Sequence, residues 1–344
     1  MAENGKYIYG FISANKPKNL GPIGIDKGEV CTFPYQDIAA VASDLPFIQF
    51  DSLSRETLLH NLAVYQTVIE KVMKSNHIIS MKFGTVAQGE EELKRILEKG
   101  YGQIKTKLKE MENKIELDVA AIWGDLETVL KEIGEEEEIK RLKQEAASKA
   151  PDQIFEIKIN VGKLVKGSLD KKREKCTSEI LDVLKKEAED HCSHAVMDDS
   201  MIMNVAFLIN MDKKEAFESK VDDLDKEYKG RVNFRIVGPL PPYSFCTLEI
   251  KKLEFGEVNE ARRILGLGEE ATGVEIKDVY RELSKKFHPD KYPYDQEAQK
   301  RFEKITNAYQ ILTDYCQGGR QSFKKNDVSE WITVKPLEQP EAHA

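Results

Sequence analysis

Apolar residues recur along this chain at two periods, and each period predicts an element. Ile115, Leu117, Val119 and Ala121 alternate with polar neighbours, which predicts a strand over 114–123 with one buried face. Leu58, Leu62, Tyr65, Ile69 and Val72 recur at spacings of 4, 3, 4 and 3, which predicts a helix over 55–75 capped by Ser52 or Ser54. Short β-rich runs lie at 6–12, 29–33, 37–43 and 77–85, with Gly21, Gly24 and Gly28 marking a loop after the first. A helix is expected over 89–112, interrupted near Gly100 and Gly102. Beyond the strand at 114–123 comes a charged helical region, 125–191, read as two helices broken near Pro151. Strands near 193–197 and 201–209, a helix at 212–228 and a strand at 231–237 complete a β-α-β-β-α-β order.

Near the end of the chain the helical period returns twice. Ile276, Tyr280, Leu283 and Phe287 make one stripe; Ala298, Phe302, Ile305, Tyr309 and Leu312 make another. Between them lie Pro289 and Pro293, which a helix does not readily run through. The two helices therefore fold back on each other and leave His288-Pro289-Asp290 at an exposed tip. Thr272 with Glu275 three residues on is a capping box for the first of them. Lys285 and Lys286 sit in its last turn, where the helix dipole favours positive charge. With Lys277 and Arg281 they form a basic strip, of which any single lysine reads equally as part of a solvated face.

The fold class is therefore α+β. An N-terminal α+β domain spans 1–112, and 113–250 is a second, ferredoxin-like domain, a split βαβ unit with an enlarged helical layer. A linker at 251–257 leads to a small all-α hairpin at 258–317. Residues 318–344, rich in Pro and Glu towards the end, are expected to be a flexible tail.

Composition narrows the function classes. Of 344 residues 40% are hydrophobic and a third charged, ordinary for a globular protein, and the net charge is −8. With no long basic run, neither nucleic acid nor a membrane surface is an expected partner. No apolar run approaches the roughly 20 residues of a membrane helix, and the start "MAENGKYIYG" lacks a secretory pattern. Five widely spaced cysteines, an odd number, read as free thiols in a reducing cytoplasm.

No cofactor, metal or enzymatic activity is expected. "GLGEEATG" (266–273) has the wrong glycine spacing for a phosphate loop and lies between helices. The best metal candidate, His191, Cys192, His194, Asp198 and Asp199, lacks a partner motif and reads as a polar connection. His60 and His77 read as packed or capping residues. The acidic run at 134–145 reads as a solvated helix.

Residues 259–312 resemble the J domain of DnaJ-type co-chaperones. "ARRILGL" (261–267), "TGVEIKDVYRELSKKFHPDK" (272–291) and "QKRFEKITNAYQIL" (299–312) occur in family order. Ala261 and Arg262 stand where tyrosines are common in that family. The resemblance implies that His288, Pro289 and Asp290, with the strip of Lys277, Arg281, Lys285 and Lys286, engage a DnaK-class chaperone and trigger its ATP hydrolysis. None would be a catalyst in this chain.

Residues 6–249 are similar to the gas vesicle GvpL/GvpF family. The matching stretches are "YIYGFI" (7–12), "IAAVASDL" (38–45), "MKFGTV" (81–86), "NVAFLI" (204–209) and "RIVGPLPPYSF" (235–245). In the last, Gly238, Pro239, Pro241 and Pro242 force a rigid turn from which Tyr243 and Phe245 project. That turn is either a structural corner or a partner contact. Phe83 reads as core and Gly84 as a tight turn. Ser80-Met81-Lys82 replaces a common Leu-Pro-Leu-Arg pattern, so no role is carried to Lys82. The resemblance implies a cytoplasmic, vesicle-associated accessory of gas vesicle assembly. Its partners would be the shell protein GvpA and other accessory proteins. Two alternatives stay open: a co-chaperone with a non-vesicle client, and a structural vesicle component with an inactive J domain.

Overall fold

The computed structural model describes residues 5–45, 53–147, 151–291, 295–316, 321–329 and 332–337. They divide into two compact units. The first holds Met1–Glu90, Ile104–Leu248 and Pro336–Ala344; the second holds Glu91–Gln103 and Glu249–Lys335.

The first unit opens with β1 (Gly5–Ser13), β2 (Asn19–Gly21), β3 (Val30–Tyr35) and β4 (Ile38–Leu45). They are followed by α1 (Arg55–Met73), β5 (Ile78–Met81), β6 (Val86–Ala87) and α2 (Glu90–Glu110), of which residues 91–103 belong to the second unit. The strands run in the order β5-β1-β4-β3-β2, with β6 also pairing β1. β1 and β4 are almost wholly buried, so both read as continuous apolar runs. α1 begins at Ser54, whose hydroxyl accepts the Thr57 N–H at 3.2 Å; Ser52 lies outside the described residues.

The buried face of α1 is Asn61, Tyr65, Val68, Ile69 and Val72, and Leu62 is 37% exposed. This differs in phase from the expected stripe. Periodicity sets the spacing, while the Tyr65 hydroxyl, donating to Met81 O at 2.6 Å, sets the rotation. α2 runs unbroken through Gly100 and Gly102 where an interruption was expected. Leu93, Ile96, Leu97, Ile104 and Leu108 are buried on both sides of the glycines. Their burial outweighs the roughly 1 kcal/mol that each glycine costs a helix.

The second domain of this unit holds β7 (Lys114–Trp123), α3 (Leu126–Gly134), α4 (Glu137–Ala147), α5 (Pro151–Leu184), β8 (Asp190–Ser193), β9 (Met201–Asn210), α6 (Lys214–Tyr228) and β10 (Val232–Leu240). Its sheet is antiparallel in the order β10-β7-β9-β8. Counted within the domain this is fourth, first, third, second, the ferredoxin-like arrangement. Leu117, Val119, Val205 and Phe207 face Ile180 of α5 and Phe217 of α6 in one core.

Among the described residues, the region 125–191 contains three helices and not two. α3 ends at Gly134 and α5 begins at Pro151, where a missing N–H costs nothing in the first turn. β8 begins at 190 and not at 193, because His191 stacks its ring on Phe207. Val196 and Met197 are left exposed in the turn that follows. β11 (Thr247–Lys252) starts with Thr247 and Leu248 parallel to Ser80 and Met81 of β5.

The second unit holds α7 (Phe255–Leu265), β12 (Glu270–Ala271), α8 (Gly273–Phe287), α9 (Gln296–Tyr315), β13 (Gln321–Ser322), α10 (Lys325–Ser329) and β14 (Ile332–Pro336) up to Lys335. Val258, Ala261, Leu265, Ile276, Ile305 and Leu312 form its core. The expected linker at 251–257 is mostly structured. β11 ends at Lys252 and α7 starts at Phe255, because Leu253 and Phe255 pack on that core. The expected flexible tail likewise carries three elements, since Phe323 and Val328 are buried in the same core. Pro293 and residues 338–344 lie outside the described residues.

Candidate functional site

Two places gather the residues singled out by the sequence. The first is the tip of the α8–α9 hairpin. α8 starts with a complete capping box: Glu275 N–H donates to Thr272 Oγ1 at 3.2 Å, and Thr272 N–H donates to Glu275 Oε2 at 2.7 Å. Tyr280 stacks on Tyr309 with centroids 4.0 Å apart, which locks the two helices in register. Lys277, Arg281, Lys285 and Lys286 are all exposed on α8, and Arg281 has an ion pair with Asp278 at 3.8 Å.

The helix ends at Phe287. His288 takes an extended backbone (φ −60, ψ 135), as a residue before proline prefers. Asp290 N–H donates to His288 Nδ1 at 3.3 Å, and Asp290 Oδ2 lies 3.3 Å from the same nitrogen. The imidazole meets Phe302 edge-on at 5.5 Å. Lys291 closes the turn twice, through its N–H to His288 O at 3.0 Å and its ammonium to Lys285 O at 2.7 Å. The Asp290 side chain is 88% exposed and that of His288 46%, so the tip is held from behind and open in front.

The structure thus brings His288, Pro289, Asp290, Lys285 and Lys286 together and sets Arg281 and Lys277 one and two turns back. Lys291, Phe302 and Arg301, whose guanidinium lies 4.9 Å over the Phe287 ring, support the tip and were missed. The adjacency of Lys291 to the His-Pro-Asp triplet was the available signal.

The second place is the proline-rich corner. β10 carries Gly238, with φ 145, and a cis peptide to Pro239. A Cβ at Gly238 would stand 2.8 Å from Glu116 O, so only glycine fits. Pro241 and Pro242 are buried. The turn after them is closed by Cys246 N–H donating to Pro242 O at 2.7 Å. Tyr243 packs against the core of the N-terminal domain, as does Phe83, which meets Tyr65 edge-on at 5.7 Å. Burial pushes the Tyr243 phenol well above its usual range. Phe245 is half-buried. Gly84, at φ 86, donates its N–H to Tyr7 Oη at 3.0 Å.

Ser244 joins this corner to the second domain. Its N–H reaches Glu116 Oε2 at 2.7 Å, its hydroxyl reaches Glu116 Oε1 at 2.9 Å, and His194 Nε2 lies 3.1 Å from that hydroxyl. Glu116 is 2% exposed. Burial, with Asp118 beside it, pushes its carboxyl up to about 8. Ser244 lies within the "RIVGPLPPYSF" stretch and Glu116 on the alternating strand, but nothing in the sequence sets these two residues apart from their neighbours or pairs them.

The metal candidates disperse. His191 stacks on Phe207, His194 meets Ser244, Asp198 accepts from Ser200 N–H at 2.8 Å, and Asp199 binds Lys166 at 2.8 Å. Among the described residues no three ligand-type side chains converge.

The sequence model of the gas vesicle synthesis protein GvpL/GvpF family matches residues 5–247. The chain belongs to this family. The DnaJ domain model matches 255–317, so this GvpL/GvpF member carries a J domain fused behind its family region. Gas vesicle protein F1 of Halobacterium salinarum is 24% identical over 254 residues, 73% of this chain and 96% of that one. Gas vesicle protein F of Nostoc sp. is 21% identical over 250 residues, 71% of this chain and 99% of that one. The chaperone protein DnaJ of Francisella tularensis is 51% identical over 57 residues. These are 17% of this chain and 15% of DnaJ, which limits the likeness to the J domain.

The crystal structure of GvpF from Anabaena sp. superposes with a TM-score of 0.59 at 24% identity, covering 70% of this chain and 98% of that one. GvpF from Microcystis aeruginosa gives 0.54 at 22% identity, with the same coverage. The family region of this GvpL/GvpF member therefore has the GvpF fold. Among the described residues no helix is long and apolar enough to cross a membrane.

Proposed function

We propose that this GvpL/GvpF member is a cytoplasmic accessory of gas vesicle assembly. It binds the shell protein GvpA through its family region and recruits a DnaK-class chaperone through its J domain. The carrying observation is the His288-Pro289-Asp290 tip, braced by Lys291 and Phe302 and flanked by exposed Lys285 and Lys286. Bracing from behind with an open front suits a docking element. In this reading the chain performs no catalysis itself, since the nucleotide belongs to the partner.

Fusion makes physical sense for a client that aggregates. A shell subunit presents apolar surface before assembly, and a J domain on the same chain raises the local chaperone concentration without a new contact. Other vesicle accessory proteins are further partners in this reading; nucleic acid and membranes are not.

Affinity purification of the full chain from vesicle-forming cells tests the proposal. The expected result is GvpA together with a DnaK-class chaperone, the chaperone being lost and GvpA retained with His288→Gln. Recovery of the chaperone with other clients and without GvpA would contradict the vesicle half and support a co-chaperone of different clientele.

A further inference from the structure

The J-domain match ends at residue 317, yet the chain continues to add structure to the same core. Phe323 is 3% exposed and Val328 fully buried, and both belong to the cluster of Val258, Leu265, Ile305 and Leu312. The Phe323 ring lies 5.7 Å from that of Tyr315. The backbone is tied as well. Gln321 and Ser322 pair antiparallel with Ala271 and Glu270, and Phe323 N–H donates to Glu269 O at 2.9 Å. The Tyr315 hydroxyl donates to Ser322 O. One short segment therefore grips the α7–α8 connection and the end of α9 together.

A second grip follows. Asp314 lies in the last turn of α9, where the helix dipole disfavours a carboxylate. Two lysines offset it: Lys251 of β11 at 3.4 Å and Lys335 of β14 at 3.8 Å. Lys335 also lies 3.9 Å from Glu249 of β11. These groups are mostly shielded, with side-chain exposures of 27% for Asp314 and 18% for Lys335, so the cluster is less screened than a surface pair. Val334, beside Lys335, is 1% exposed and secures the strand.

From these contacts we infer that residues 321–329 and 332–335 act as a strap that closes the base of the J module and holds α7 and α9 in place. The folded module in this chain thus ends near 335, well beyond its family boundary. The strap lies at the end of α9 opposite to the His-Pro-Asp tip, so it leaves the docking face open. Its contribution is to the order of the helices that carry that face. The apolar residues that α7 and α9 turn towards Phe323 and Val328 would otherwise meet water.

Amide hydrogen exchange on the full chain tests this without reference to any partner. Three proteins are compared: the wild type, a chain ending at residue 319, and Phe323→Ala. The strap predicts exchange about tenfold faster or more in peptides covering 258–265 and 305–316 of the shortened chain. Phe323→Ala should shift the same peptides in the same direction by less. Peptides covering 115–123 and 203–209 serve as a control on the remaining fold and should be unchanged. Wild-type protection of α7 and α9 in the shortened chain would overturn the inference. So would equal loss in the control peptides, which would show general unfolding and not release of a strap.

Discussion

Ser244 donates both its backbone N–H and its hydroxyl to the two carboxyl oxygens of Glu116, at 2.7 and 2.9 Å. The two residues are 128 positions apart, and the pair fastens the proline-rich corner to strand β7. Glu116 is a poor place for a charge. It is buried, Asp118 is beside it, and the neighbouring groups on β8 and the following turn are Cys192 and His194.

Stability should therefore fall as pH rises. The unfolded chain releases the Glu116 proton near its ordinary value of 4.5, whereas the fold holds it up to about 8. The proton's contribution is fully present below 4.5 and is lost as pH climbs through about 8. Asp118, also raised by burial, acts in the same direction. Glu116→Gln, which keeps an acceptor for the Ser244 N–H, should flatten the slope between pH 5 and 8 and stabilise the protein at pH 8. Urea denaturation across that range checks it; an unchanged slope in Glu116→Gln would remove Glu116 as the cause.

Tyr243 and Phe245 should separate under truncation. Tyr243 packs on the N-terminal core, while Phe245 is half-buried outside it. Tyr243→Ala should cost about 3 kcal/mol, the low end for aromatic truncation in a core. Phe245→Ala should cost less than half of that. Denaturant midpoints of the two variants give the comparison, and equal losses would place both rings in one core.

The capping box offers a local test of the J module. Thr272→Ala removes the acceptor for Glu275 N–H and should cost about 1 kcal/mol. Thr272→Ser should keep most of it. Exchange rates at the start of α8 report the difference, and indistinguishable rates for alanine and serine would show that the box is idle.

Much of this architecture could be read from residue order, and the exceptions share a cause. β7 was legible because Ile115, Leu117, Val119 and Ala121 alternate without a break. α8 and α9 were legible because stripe, capping box and prolines agree on their limits. The rotation of α1 was not, because Tyr65 finds its hydrogen-bond partner on β5 and not on its own helix. Gly100 and Gly102 suggested a break that tertiary burial of Ile96 and Ile104 overrides. The strap was hidden because Phe323, Val328 and Val334 are isolated apolar residues in a polar stretch, with no period to announce them. The tip itself was visible in His288, Pro289 and Asp290, whereas its braces, Phe302 and Lys291, are defined only by the fold.

ATP hydrolysis by a matching DnaK-class chaperone is the most direct test of the central claim. It is measured with full-length protein and with His288→Gln at equal concentrations. The helices that carry the tip are held by the Tyr280–Tyr309 stack and their own core, so the substitution should leave the fold intact. Circular dichroism and an unchanged melting temperature serve as the control. Stimulation by the wild type, abolished in His288→Gln, is the predicted result. Equal rates with the two proteins, or no stimulation by either, would contradict an active J domain and leave the module a structural part of a gas vesicle protein.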